Sequence, residues 1–260
     1  MTSEAPKDNT HPADRITVED LKASFNNHIR PQIFVRLFAR PLAIYLTPIV
    51  YNAGVSANMV TVFRCLLNVF VLSALASGNW YMALAFMAHV YLSLILDCLD
   101  GNIARMSRSV TYWGKFFDGF ADKFLSLLTP AAAGIAFWHA ADDMRVLIVG
   151  FSVTLLAVYA ELTKSRLSHH REWMIRETGP LTTSEVQRQS GWICIENRTT
   201  SVVYNVTFLS PLLLLLPDGL VYFLWILLPV QGFGAVIAGA ALLGQGWANM
   251  RRSRTSIHSS

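Results

Sequence analysis

Four aspartates stand at fixed intervals in this chain: Asp97, Asp100, Asp118 and Asp122. Gly101, Ala104, Arg105 and Gly114 accompany them, in the arrangement D-x2-D-G-x2-A-R-x8-G-x3-D-x3-D. The run lies where two strongly apolar segments meet. A carboxylate at the edge of hydrocarbon is expensive and ordinarily marks metal or proton chemistry. Four carboxylates close together cannot all stay ionised without compensation. Every strong ligand on offer is an oxygen, which suits hard divalent cations. Two Mg²⁺ ions would balance the four charges, and paired metals stabilise the attacking and leaving oxygens at phosphorus. No His or Cys joins the run at a zinc-like spacing, which argues against zinc. Gly101, Ala104 and Gly114 would leave a slot where a flat ligand reaches the backbone. Arg105 is a fixed cation with bidentate geometry for phosphate. Small residues also let helices pack closely, but beside the acids a ligand slot is the better reading.

Helices must hold these groups. At 100° per residue, positions 97, 100, 101, 104 and 105 share one face of a helix. Gly114, Asp118 and Asp122 are spaced by four on the next. A short loop makes the two helices neighbours, so their acidic stripes can converge on one cavity.

The composition places those helices in a membrane. Of 260 residues, 53% are hydrophobic and only 15% charged, with mean hydropathy +0.40. Soluble domains are about 25% charged. The chain therefore reads as an all-α polytopic membrane protein with a single helical domain. Its net charge of +4 and pI of about 9.1 signify basic cytoplasmic loops rather than nucleic-acid binding. Cys65, Cys98 and Cys194 are scattered and suggest no disulfide framework. The first thirty residues have no apolar core of the signal-peptide kind, so no cleavable leader is expected.

Residues 1–30 read as a cytoplasmic extension, with a short helix capped by the Thr17-Val-Glu-Asp20 pattern. Residues 31–55 are apolar but broken by Arg36, Arg40, Pro41 and Pro48, which suits a helix lying in the membrane interface. Residues 56–250 carry six candidate spans, near 57–77, 81–106, 113–138, 145–167, 199–217 and 219–249. Pro217-Asp218-Gly219 is a turn between the last two. A long connection covers 168–198, broken at Gly179-Pro180, with a second capping pattern from Thr182 to Glu185. A basic tail occupies 251–260. With both termini in the cytoplasm, only Arg145 of 21 Lys and Arg lies at a non-cytoplasmic connection. That asymmetry puts the aspartates at the cytoplasmic face.

Other polar residues are weighed against plainer roles. Asn58, Thr61, Arg64 and Asn68 form a stripe at helical spacing that could line the same cavity or simply bond between helices. Lys164, Arg166 and Arg198 are candidates to bind a phosphorylated acceptor, with Arg64 beside them; their plainer role is positive-inside decoration. Adjacent His169 and His170 do not share a helical face and read as surface.

The aspartate run is the signature of the CDP-alcohol phosphotransferases (CDP-alcohol phosphatidyltransferases), which this chain resembles across about residues 35–250. The interfacial helix and six-span plan are similar too. The family's Pro-Asn-x-x-Thr segment is here Ala57-Asn58-Met59-Val60-Thr61, without its proline. The resemblance implies transfer from a CDP-linked alcohol to a second alcohol, releasing CMP. It implies two divalent ions, Mg²⁺ or Mn²⁺, with Asp97 and Asp118 touching both, Asp100 completing one site and Asp122 the other. Asp122 would also be the general base. Gly101, Arg105 and Thr111 would contact CDP, with Asn58, Thr61, Ala104 and Gly114 around them. A homodimer is implied as well.

CDP-diacylglycerol is the expected donor, a polar alcohol the acceptor, phospholipid synthesis in a bacterial inner membrane the setting, and membrane lipids the surroundings. Choline and ethanolamine enzymes of the family look longer than this chain, which is an argument by fold analogy. Gly119 stands where the glycerol-phosphate branch has proline. The rival readings are transfer of a CDP-linked choline or ethanolamine head group to a lipid alcohol, and a non-catalytic divalent-cation-binding protein. The latter has no need of the Gly-Ala-Arg-Gly scaffold.

Overall fold

The computed structural model describes residues 15–24, 35–107, 111–179 and 183–257. Thr182 of the second capping pattern, Pro180, and the start and end of the terminal segments lie outside them. Among the described residues there is no strand. Helix α1 (Val18–Ser24) is followed by a π-turn (Val35–Ala39), α2 (Arg40–Asn52), α3 (Ala57–Ala76), α4 (Trp80–Met106) and α5 (Tyr112–Ala141). Then come α6 (Met144–Thr178), α7 (Thr183–Leu209), a 3₁₀ turn (Ser210–Leu215) and α8 (Gly219–Ile257). Helices α3, α4, α5, α6 and α8 are long and apolar enough to cross a membrane. The protein is an all-α polytopic membrane protein, as its composition implied.

Two differences from the expected plan have clear causes. Most of the segment expected as a connection is helix: nothing before Gly179 interrupts α6, which runs on to Thr178, and α7 begins at Thr183. Gly179 ends α6 in a left-handed conformation (φ 82°). The sixth span expected at 199–217 is divided between the end of α7 and the 3₁₀ turn. Pro211 cannot donate to an α-helical bond and its ring crowds the preceding turn. Five described helices, not six, therefore have the length and hydropathy of a span.

The chain divides into two units, Met1–Leu66 with Tyr91–Ala121, and Leu67–Val90 with Asp122–Ser260. In the first, Thr17 and Asp20 cap α1 reciprocally. The Thr17 N–H donates to Asp20 Oδ2 at 2.9 Å, and the Asp20 N–H to Thr17 Oγ1 at 3.3 Å. Hydrogen bonds to Thr17 hold the exposed Asp20 carboxyl below its ordinary range. Asn52 ties this segment to the end of α2 by accepting from the Ile16 N–H and donating to its carbonyl. Ala39, just before α2, and Ala43 and Thr47 within it are buried at intervals of four, while α2 exposes Leu42, Tyr45, Leu46 and Ile49. This leaves an apolar face outward, opposite to a water-soluble helix.

The second unit has the main apolar core, built around Leu75, Phe86, Ala133, Leu214, Phe223 and Leu227. Trp80 Nε1 donates to the Leu214 carbonyl at 3.0 Å. Asn68 Oδ1 and His89 Nε2 meet at 2.7 Å within this unit, so the deepest member of the polar stripe is an interhelical hydrogen-bonding residue. The expected turn before α8 forms with Asp218 at φ 55°. A Cβ on Gly219 would fall 2.0 Å from the Leu213 carbonyl oxygen, so only glycine fits.

Candidate functional site

The last turns of α4 and the first turns of α5 bring three of the four aspartates together. Carboxylate oxygens of Asp97, Asp100 and Asp118 lie within 4.8 Å of one another. Asp122 is one turn beyond Asp118 on α5 and is exposed. It is not a member of this cluster.

Arg64 of α3 balances the cluster from within. Its Nη1 donates to Asp97 Oδ1 at 2.6 Å and its Nη2 to Asp118 Oδ1 at 2.8 Å. The arginine side chain is 1% exposed, the two carboxylates 36% and 44%. A cation so deep in a spanning helix is tolerable because it is paired. One turn earlier on α3, the Thr61 hydroxyl donates to Asp100 Oδ2 at 2.8 Å. Oxygen donors at this density, two of them more than a third exposed, fit a hard divalent cation.

A cavity of about 460 Å³ opens beside the cluster, with Asp100 and Asp118 in its wall. Asn58, Thr61, Gly101, Ala104, Arg105, Thr111 and Gly114 all line it. These residues come from three helices and from the residue just before α5, yet every one named as a CDP contact lines the same space. Thr111 Oγ1 accepts from the Gly114 N–H at 3.0 Å and caps α5. Its hydroxyl proton is still available for a ligand. A Cβ on Gly114 would come within 3.1 Å of Thr111 Oγ1 and 3.4 Å of Asn58 Oδ1, so a larger residue would crowd this corner.

Arg105 is aimed by a relay that sequence reasoning missed. Its Nη2 donates to Asn102 Oδ1 at 2.7 Å, Asn102 Nδ2 to Thr47 Oγ1 at 3.0 Å, and the Thr47 hydroxyl to the Ala43 carbonyl at 2.6 Å. Asn102 and Thr47 are buried. Asn102 occupies an unspecified position of the motif, so only its contacts reveal it. Ser56 and Lys115 also line the cavity without having been singled out. Lys115, next to Gly114, carried the signal of a cation near a helix N-terminus.

The proposed acceptor residues separate. Arg64 is engaged by the acids. Lys164 lines a different cavity, in the second unit, and pairs with Glu196 at 2.7 Å. Arg198 lines a groove formed by α7 residues alone. Arg166 is exposed and lines none of these spaces.

Helices of membrane-spanning length define an integral membrane protein, and its carboxylate cluster, beside a cavity lined by Gly, Ala and Arg, could hold a divalent ion. The chain belongs to the CDP-alcohol phosphatidyltransferases, whose family model matches residues 54–236. Its members are membrane transferases acting on CDP-alcohols. A search of curated proteins finds no match.

Proposed function

We propose that the protein transfers a phosphatidyl group from CDP-diacylglycerol to the hydroxyl of a polar alcohol, releasing CMP, on the cytoplasmic side of a bacterial inner membrane. The observation that carries this is the convergence of all seven expected nucleotide contacts on one cavity, whose wall includes Asp100 and Asp118. Asp97, Asp100 and Asp118 would hold divalent ions, with Asp122 contributing from the next turn. Bound Mg²⁺ or Mn²⁺ supplies neutralisation of the charge that builds on the leaving phosphate.

The chain's own groups do the rest. Arg105, held by Asn102, offers a fixed guanidinium to a phosphate. Gly101 and Gly114 leave room for the nucleotide, while Asn58, Thr61 and Thr111 offer polar contacts. Asp122 accepts the proton of the acceptor hydroxyl as its oxygen bonds to phosphorus and the phosphorus–oxygen bond to CMP breaks. The outward apolar face of α2 suits a helix in the membrane interface, where the donor's acyl chains stay in lipid while its head group enters the site. The active form is a homodimer.

The test is CMP release by the purified protein in nanodiscs, with CDP-diacylglycerol, Mg²⁺ and a panel of alcohols. Mass spectrometry then identifies the lipid product. Metal-dependent CMP release with a new phospholipid is the expected result. Divalent-ion binding without CMP release from any acceptor would leave the non-catalytic reading instead.

A further inference from the structure

The second polar cavity, of about 210 Å³, lies wholly within the second unit, which includes Asp122. Ser126 lines it, one turn along α5 from Asp122, and its hydroxyl donates to the Asp122 carbonyl at 3.2 Å. The cavity and the proposed base therefore share a helix face. Its other polar lining includes Glu161 and Lys164 of α6, Glu196 and Thr199 of α7, and Gln231 of α8.

The charges in this lining are already matched. Lys164 Nζ lies 2.7 Å from Glu196 Oε1, and Lys123 Nζ lies 2.9 Å from Glu161 Oε2. The remaining Glu196 oxygen faces Gln245 Nε2 at 3.5 Å. Lys164 is the sole cation among the lining residues, against two glutamates. Arg166 and Arg198 do not join them. A phosphate monoester brought here would meet two carboxylates and a lysine already paired, so its charge would face like charge with no further cation in the lining. Hydroxyls and an amide, in contrast, can exchange hydrogen bonds with an alcohol in either direction.

We propose that this cavity is the acceptor subsite, and that the acceptor is a small alcohol without phosphate and without net charge, a neutral polyol or a zwitterionic amino alcohol. This rests on the phosphatidyltransferase reading above. It replaces the cationic pocket that the basic residues suggested in sequence.

The test uses the protein in nanodiscs with CDP-diacylglycerol and Mg²⁺, and compares CMP release for matched acceptors. Glycerol is set against glycerol 3-phosphate, myo-inositol against inositol 1-phosphate, and serine against phosphoserine. The expected result is that an unphosphorylated acceptor exceeds its phosphorylated partner in kcat/KM by about 100-fold. Equal use, or preference for a phosphorylated partner, overturns the inference while leaving the transferase reading intact. CMP release from no acceptor removes both. The variant Glu196→Gln, which releases Lys164, is expected to shift the ratio toward the phosphorylated partner by about tenfold. A ratio unmoved by both Glu196→Gln and Glu161→Gln shows that the cavity does not select the acceptor.

Discussion

Arg64 is a buried cation whose two carboxylate partners lie 33 and 54 residues away in sequence. Without it, Asp97 and Asp118 would face each other uncompensated in the metal-free protein. Removing one partner from a fully buried pair costs about 3–5 kcal/mol, and less here because the two carboxylates left behind are 36% and 44% exposed. Arg64→Leu is therefore expected to lower the melting temperature in EDTA, and Mg²⁺ to restore more of the loss than it adds to the native protein. Equal melting curves in EDTA would show that the bridge contributes nothing. Asp122 is instead the base of the proposed reaction. Asp122→Asn is expected to reduce turnover by about 10²–10⁴-fold while leaving CDP-diacylglycerol binding detectable. Normal turnover would take the base role away from it. The acids were legible in sequence because few residue types can hold a hard cation. The role of Arg64 was not, because a stripe of polar residues on α3 does not say which of them meets a carboxylate.

At the scale of elements, α2 does more than rest at the edge of the unit. Through Thr47 and Asn102 it fixes the direction of Arg105. Leaving the guanidinium without that partner costs roughly 1–2 kcal/mol of positioning. Asn102→Leu should therefore raise the donor KM about tenfold with little change in kcat, and Thr47→Val should do so more weakly. A fall in kcat at unchanged KM would place Asn102 elsewhere in the reaction. Spacing alone located α3, α4 and the start of α5 closely, since long apolar runs with sharp ends leave little choice. It failed after residue 167, where a polar segment reads as a loop but continues as α6. Polar residues are as able as apolar ones to form a helix in water, so hydropathy marks where α6 leaves the lipid and not where it stops.

Across the whole molecule, the proposed orientation rests on the distribution of Lys and Arg. Arg145, the exception to it, is answered locally. Asp143 caps α6 by accepting from the Arg145 N–H at 2.9 Å and pairs with its guanidinium at 3.0 Å. Those bonds, from the Arg145 side chain and N–H, hold the Asp143 carboxyl below its ordinary range. With Asp142 beside it as well, the connection carries no net positive charge, and Arg145 remains its one Lys or Arg. Cys194 is exposed on α7, whereas Cys65 and Cys98 are partly buried in spanning helices. A membrane-impermeant thiol reagent is expected to label Cys194 in inside-out vesicles and not in right-side-out ones. The reverse pattern would invert the proposed topology and move the site to the opposite face.

What the sequence by itself determined was local or periodic: an all-α membrane protein, the four aspartates, and the small residues and arginine between them. These follow from helical repeat, hydropathy and the narrow chemistry of metal ligands, all readable along one chain. Tertiary structure alone decided how charges are paired. It gave Arg64 to the acids, Asn102 and Thr47 to Arg105, and Glu196 to Lys164. Coulombic attraction and hydrogen bonding act over a few ångströms in space, whatever the separation in sequence. A count of basic residues could therefore suggest a phosphate pocket, and only their partners could show that its lysine is already neutralised.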